Sequence, residues 1–252
     1  MEQPFVTQTV IEGVSTISFY NPSHNALPSV LLSKLEAEIN TASTNPSVSV
    51  VVLQSGGERT FCAGASFNEL IAIETEAEGK FFFSGFAKVI NAMRKCPKFI
   101  ICKVQGKAVG GGVGIAAAAD YCLATKYASI KLSELSIGIG PFVIEPAVSR
   151  KIGVIAMSEM TINATQFYDA NWAKQKGLYA DVFDNQEALN VAAETLVQQL
   201  KTYNPAAVKA MKMVMWENTG HWDTLLLERA KISGTLVLSN FTKSVLSKYK
   251  TT

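Results

Sequence analysis

Three short stretches of this 252-residue chain combine residue types and spacing that suit chemistry. The first is Gln105-Gly106-Lys107-Ala108-Val109-Gly110-Gly111-Gly112-Val113-Gly114, which follows an apolar run and opens an alanine-rich helix. The first N–H groups of a helix have no intrahelical acceptor and are partly positive, so they can hold an anion or a developing oxyanion. Glycine there lets a ligand reach the main chain with no β-carbon in the way. Tight packing of helix against strand is the plain structural use of the same glycines. The second stretch, Thr60-Phe61-Cys62-Ala63-Gly64-Ala65-Ser66, lies about 50 residues earlier and also follows a buried strand. Two such loops meeting at one sheet edge would aim two main-chain donors at one carbonyl oxygen, stabilising an enolate or a tetrahedral oxyanion. The third stretch holds two carboxylates, Glu134 and, 11 residues on, Glu145.

The glycine loop has a competing reading. Gly112, Gly114 and Ala117 fit G-x-G-x-x-A, and Glu134 lies 20 residues beyond Gly114. That is the spacing of a dinucleotide fingerprint, which would make the chain an NAD-dependent oxidoreductase. The motif is short, however, and opens mid-chain after a hairpin and two further strands. Histidine-driven hydrolysis is poorly served: the chain has two histidines, His24 and His221, and no G-x-S-x-G elbow. No His/Cys/Asp/Glu grouping has metal-ligand spacing, so no metal is expected.

The elements that must position these residues follow from patterning. Phe5–Val10 and Val14–Phe19 read as a hairpin turned at Glu12-Gly13. Pro28 sits at the first turn of a helix whose apolar residues Val30, Leu31, Leu35, Ile39 and Ala42 recur at helical steps. Val48–Leu53 and Phe99–Val104 are buried strands by composition, separated by a Phe-rich helix (Phe81, Phe82, Phe83, Phe86) that Pro97 ends. Short strands are expected near 121–124 and 129–132. This alternation predicts an α/β core with parallel strands. From about Glu187 the signals are almost purely helical, which divides the chain into a core over 1–190 and a helical region over 191–252.

Composition narrows the classes. Apolar residues are 48% and charged residues 17%, which excludes disorder for most of the chain. A net charge of +2 argues against nucleic acid or an anionic membrane as partner. Cys62, Cys96, Cys102 and Cys122 form no C-x-x-C pair and read as reduced thiols. Met1-Glu2-Gln3-Pro4 has no signal-peptide pattern, and the longest strongly apolar stretch, Ala108–Ala119, is 12 residues with four glycines. The expectation is a cytoplasmic, soluble protein.

Taken together, the motifs resemble the crotonase superfamily, the enoyl-CoA hydratase/isomerase family. The resemblance rests on Asn21-Pro22 with Asn25-Ala26-Leu27, on Phe61-Cys62-Ala63-Gly64-Ala65, and on Gly110-Gly111-Gly112. It continues through Asp120, Ser133-Glu134 with Gly138 and Pro141, and Ala173 with Gly177-Leu178, in family order from about 10 to 185. It implies a crotonase-like spiral of ββα units with a helical C-terminal oligomerisation region, packed as a homotrimer or dimer of trimers. It further implies that the Ala65 and Gly111 amides form an oxyanion hole for an acyl-CoA thioester, with coenzyme A entering as part of the substrate and no tightly bound cofactor. Asn25, Ala26, Leu27, Cys62 and Ala63 would hold the adenine and pantetheine, and Lys248 is a candidate contact to CoA or a solvated tail lysine.

The carboxylates choose the reaction. Two-glutamate hydratases of the family place their first glutamate two residues after the glycine triplet, where this chain has Gly114. The second is present as Glu134, a general acid/base whose pKa a closed pocket would raise. One carboxylate suffices to move a double bond, so isomerisation is favoured over hydration. Glu145 is the alternative second acid for a hydratase, or else an N-terminal helix residue ahead of Pro146. Ser66 stands where many relatives have Asp, which removes another carboxylate. A catalytically silent acyl-CoA-binding relative is the rival from another class. Phe81–Phe86 and Leu70 are candidate acyl-pocket residues, though such spacing equally builds core.

Overall fold

The computed structural model describes residues 3–248. The chain opens with β1 (Phe5–Ile11) and β2 (Val14–Tyr20), paired as an antiparallel hairpin. Its turn residues Glu12 and Gly13 have φ of 47° and 84°, the positive values whose twist suits a two-residue hairpin. Then come α1 (Ser29–Thr44), β3 (Val50–Ser55), β4 (Thr60–Cys62), α2 (Phe67–Ala72) and α3 (Glu76–Lys95). A Thr75/Glu78 capping box starts α3, and Arg94 and Lys95 complement its C-terminal end. There follow β5 (Ile100–Val104), β6 (Lys107–Val109), α4 (Gly111–Ala118), β7 (Tyr121–Thr125), β8 (Ile130–Lys131) and a 3-10 turn at Glu134–Ile137. The chain continues through α5 (Glu145–Ile162), α6 (Ala170–Gln175), β9 (Asp181–Phe183), α7 (Gln186–Leu200), α8 (Pro205–Met215), α9 (Trp222–Leu236) and α10 (Asn240–Ser247).

Two sheets result. The larger has the order β1-β2-β3-β5-β7-β9 and is parallel from β2 onward. Its middle strands are buried on both faces, which is why they read as continuous apolar runs. Val51 and Leu53 belong to the main core with α1 and α3, while Val50, Val52, Ile101 and Leu123 pack against Leu189, Ala193 and Val197 of α7. The smaller sheet, β4-β6-β8, is parallel throughout. Sequence patterning places the glycine-rich loop directly after the strand at 99–104. The structure places β6 inside that stretch, too short a strand for patterning to register, and so hangs Gly110–Gly112 from the second sheet.

The C-terminal helices pack onto the core. Trp216, Trp222, Leu226, Ala230 and Val237 share one apolar cluster with β2, β3 and α3. A buried ion pair ties α8 in. The Lys212 ammonium reaches Asp120 Oδ2 at 2.8 Å and also donates to the carbonyls of Lys98 and Met93. Asp120 further accepts from Ile100 N and from the Trp216 indole, so both ions are satisfied on every side. Among the described residues, no helix is long and apolar enough to cross a membrane.

Candidate active site

The small sheet explains where the chemistry gathers. Three parallel strands lie side by side, with β6 in the centre. Each hands over, within three residues of its C-terminal end, to one of the stretches singled out above: β4 to Ala65, β6 to Gly111 and β8 to Glu134. Parallel strands deliver their C-terminal loops to one edge, and all three residues line one cleft of about 680 Å³ of empty space.

Two glycines allow the loops to close on each other. Gly64 has φ 87°, and a β-carbon there would sit 2.9 Å from the Val109 carbonyl and 3.5 Å from Gly111 N. Gly110, at φ 52°, precedes α4, and a β-carbon there would meet Glu134 Oε1 at 2.7 Å. Both positions require the left-handed region and leave no volume for a side chain. Gly110 O accepts from Val113 and Gly114, starting α4. The Gly111 N–H has no acceptor among the described residues. Ala65 is likewise unpaired: Leu27 bridges to it through Gly64 O and Ser66 N, which leaves its own N–H without a described acceptor. Ser66 accepts from Glu69 N and so caps α2, a role that an Asp would fill equally.

Among the described residues, Glu134 is the one ionisable side chain lining the cleft. The residue is half-buried, but its Oε2 is closed to solvent and has no hydrogen-bond partner among the described residues. Burial pushes its pKa from 4.5 up to about 7, with its own backbone N–H opposing weakly. Apolar side chains form the walls, among them Phe67, Leu70, Phe83, Phe86, Ile139 and Ile144. Two unpartnered N–H donors beside a carboxyl poised near neutrality can hold a developing oxyanion while a proton moves.

A family model described as enoyl-CoA hydratase/isomerase matches residues 9–232. The chain belongs to this family. It is 31% identical over 192 residues to the short-chain-enoyl-CoA hydratase of Clostridium acetobutylicum, covering 76% of this chain and 72% of that one. It is 28% identical over 210 residues to the peroxisomal Delta(3,5)-Delta(2,4)-dienoyl-CoA isomerase of Arabidopsis thaliana, covering 77% and 74%. The crystal structure of an enoyl-CoA hydratase from Bacillus halodurans shares the fold at a TM-score of 0.89 and 17% identity, over 96% of this chain and 99% of that one. The crotonase assignment and the α/β fold thus hold, and the chain is an acyl-CoA enzyme of the hydratase/isomerase type.

Other expected site residues divide. Glu145 is the first residue of α5 and lines a neighbouring cleft, where it pairs with Arg229 of α9 and accepts from Ser149 Oγ at 2.6 Å. It is not brought to the Glu134 cleft. Asn25 is buried, and its amide donates to the Gly56 and Thr60 carbonyls while its Oδ1 accepts from Asn21 N. Leu27 is fully buried and donates to Gly64 O. Cys62 is buried too, its thiol pushed up to about 12 and bound to Gly64 N. These three side chains therefore shape the loops from inside. Ala63 lines the cleft and, like Ala26, is half-buried. Lys248 is exposed at the C-cap of α10, a helix that packs against α2 and the 3-10 turn.

The dinucleotide reading of the glycine loop fails on space. A β-carbon on Gly112 would meet the Cys62 carbonyl at 2.5 Å and one on Gly114 would meet Ile144 at 2.4 Å. Both glycines are used up in packing α4, with no room beside them for a pyrophosphate. His24 and His221 are exposed surface residues.

Of the Phe cluster, Phe83 and Phe86 line the cleft, Phe82 is core and Phe81 is 67% exposed. Leu70 joins the lining. Ser233 of α9 also faces the cleft and was not apparent from sequence. The available signal was Gly234, a glycine inside a helical pattern, which usually has a packing reason. It abuts Gly79 of α3 so closely that a β-carbon on Gly79 would lie 2.6 Å from Gly234 Cα, and this seats Ser233 near Phe83.

Proposed function

We propose that this enzyme shifts the double bond of an enoyl-CoA thioester with Glu134 as its sole proton carrier. The carboxylate takes a proton from C2 of a 3-enoyl thioester. The C2–H electron pair forms a C1=C2 bond and the carbonyl pair moves onto oxygen, giving a dienolate, conjugated with C3=C4, whose oxygen accepts from the Ala65 and Gly111 N–H groups. Glu134 then returns a proton to C4, and the double bond closes between C2 and C3. Each N–H donor is worth about 10²–10³ in rate where oxyanion stabilisation is at stake. The observation that carries this reading is the buried Glu134 carboxyl, the cleft's one ionisable group among the described residues. A relative named for dienoyl-CoA isomerisation supports it.

Coenzyme A would run past Ala26 and Ala63, with Asn25, Leu27 and Cys62 holding those loops in shape, and Lys248 remains a candidate for a phosphate contact. No resident cofactor has a role in this scheme. The exposed apolar side chains Val154, Ile155 and Ile162 along α5 support self-association, as a homotrimer or dimer of trimers. A cytoplasmic location completes the reading.

The test offers a 3-enoyl-CoA and a 2-enoyl-CoA to wild type and to Glu134→Gln, with products followed by mass spectrometry. Migration of the double bond that vanishes in Glu134→Gln is the expected result. Addition of water to the 2-enoyl substrate as the main reaction would make the enzyme a hydratase. Binding of CoA thioesters without turnover would make it a silent relative.

A further inference from the structure

The cleft has a feature that bears on which reaction it runs, and it rests on the proposed single-carboxylate mechanism. Gly114 lies in the second turn of α4, on the helix whose first N–H faces the cleft. A β-carbon on Gly114 would fall 2.4 Å from Ile144 Cγ2 and 2.6 Å from Ile144 Cβ. Ile144 is 3% exposed and is itself part of the cleft wall, between Val143 and the start of α5. Its branched side chain therefore fills the volume into which any residue at 114 would project. Because Ile144 is branched at Cβ, its rotamers are few and it cannot swing clear as a long flexible chain would.

We propose that Ile144 is the specificity-determining residue that holds this enzyme to one-carboxylate chemistry, by occupying the space that a second acid on α4 would need. The apolar wall has a further effect. Hydration needs a water held beside the enoyl carbon by polar partners, and Ile144 offers none. Gly114 and Ile144 are thus one device: the glycine admits the isoleucine, and the isoleucine keeps out both a carboxylate and the water it would activate.

Two measurements test this. The first is a thermal-denaturation cycle over wild type, Gly114→Ala, Ile144→Ala and the double variant. Gly114→Ala alone should lower Tm, and Ile144→Ala should recover much of that loss. Additive shifts would show that the two side chains do not compete, and would overturn the proposal. The second compares hydration of a 2-enoyl-CoA by wild type, Gly114→Glu and Gly114→Glu/Ile144→Gly, each first shown folded by circular dichroism. Hydration at least roughly tenfold above wild type in the double variant only is the expected result, a gain of about 1.4 kcal/mol in transition-state stabilisation. Equal hydration by Gly114→Glu with Ile144 intact overturns the proposal. So does a folded double variant that still shifts double bonds but adds no water. A wild type that moves no double bond would instead sink the isomerase reading, and the Tm cycle would still judge the residue pair.

Discussion

Glu134 and Gly110 compete for one small volume: a β-carbon on Gly110 would lie 2.7 Å from Glu134 Oε1. The carboxyl is therefore seated against the main chain one residue before the free N–H of Gly111. The proposed acid/base and oxyanion donor owe their closeness to a missing side chain.

Gly110→Ala should accordingly damage catalysis more than binding. The methyl pushes the carboxyl aside, and displacement of a catalytic group by about 1 Å costs on the order of 10²-fold in rate. The backbone at φ 52° and ψ −118° adds strain of roughly 1–3 kcal/mol for a non-glycine residue. Steady-state kinetics with a melt of the same sample checks this. A folded variant with wild-type kcat would remove Glu134 from the proton-carrying role.

Glu134 should lower stability at the pH where it works. The unfolded chain holds this proton only to about 4.5 and the folded chain to about 7. Between those values the native state binds more protons, so stability falls as pH rises through the window. Ionising the buried carboxyl costs roughly 3 kcal/mol at most by that shift. Glu134→Gln should thus abolish turnover yet raise Tm, and raise it more at pH 8 than at pH 5. The wild-type kcat/KM should rise with pH through about 7 as the base form appears. A Tm gain independent of pH would mean that Glu134 is not the group that titrates.

How much of this was legible in the sequence depended on scale. The hairpin, the long strands and α1 and α3 announce themselves through periodicity over many residues, and Glu134, Ala65 and Gly111 stand in motifs that local spacing exposes. The small sheet was legible only at β8, which falls in the strand expected near 129–132; β4 and β6 are three residues each and carry no period. Yet that sheet brings the motifs to one edge. Glu145 illustrates the opposite limit. Its position ahead of Pro146 was readable as a helix start, but its partner Arg229 lies 84 residues away, and no local pattern reports such a pairing. Ser233 and Ile144 enter the cleft through packing against Gly234 and Gly114, which sequence shows only as glycines in helical stretches.

The Asp120–Lys212 pair should act as a lock on the C-terminal helices. Both side chains are within 3% of full burial and each has several partners. Lys212→Met leaves the Asp120 carboxylate buried without its cation, a loss of about 3–5 kcal/mol by the usual cost of breaking such a pair. Asp120→Asn combined with Lys212→Met should recover part of it, because no uncompensated ion remains. Chemical denaturation of the four proteins in a cycle measures this. Equal losses in Lys212→Met and in the double variant would show the pair to be energetically idle.

Glu145 should be dispensable for the reaction. It pairs with Arg229 outside the Glu134 cleft, where partly exposed ion pairs contribute about 1 kcal/mol or less. Glu145→Gln is expected to shift double bonds with kcat within about twofold of wild type and to lose a similarly small amount of stability. A loss of kcat comparable to that of Glu134→Gln would place Glu145 in the chemistry after all and revive the two-acid reading.

The fate of the migrating proton is the sharpest consequence of the burial of Glu134 Oε2. Glu134 Oε2 is closed to solvent, no other ionisable side chain among the described residues lines the cleft, and no described group hydrogen-bonds to that oxygen. In the proposed mechanism a proton taken from C2 therefore has no side-chain relay among the described residues while the dienolate waits, and the same carboxyl returns it to C4. In deuterated buffer, most product molecules of a single turnover should retain the original hydrogen at C4. Opening the wall should change this: Ile144→Ala admits water beside the carboxyl and should raise deuterium at C4 while leaving Glu134 in place. Quenched single-turnover mixtures, read by mass spectrometry with the label positioned by NMR, separate the cases. One deuterium at C4 in every product molecule of the wild type would mean that solvent reaches Glu134 within each catalytic cycle, and the account of direct C2-to-C4 transfer would fail.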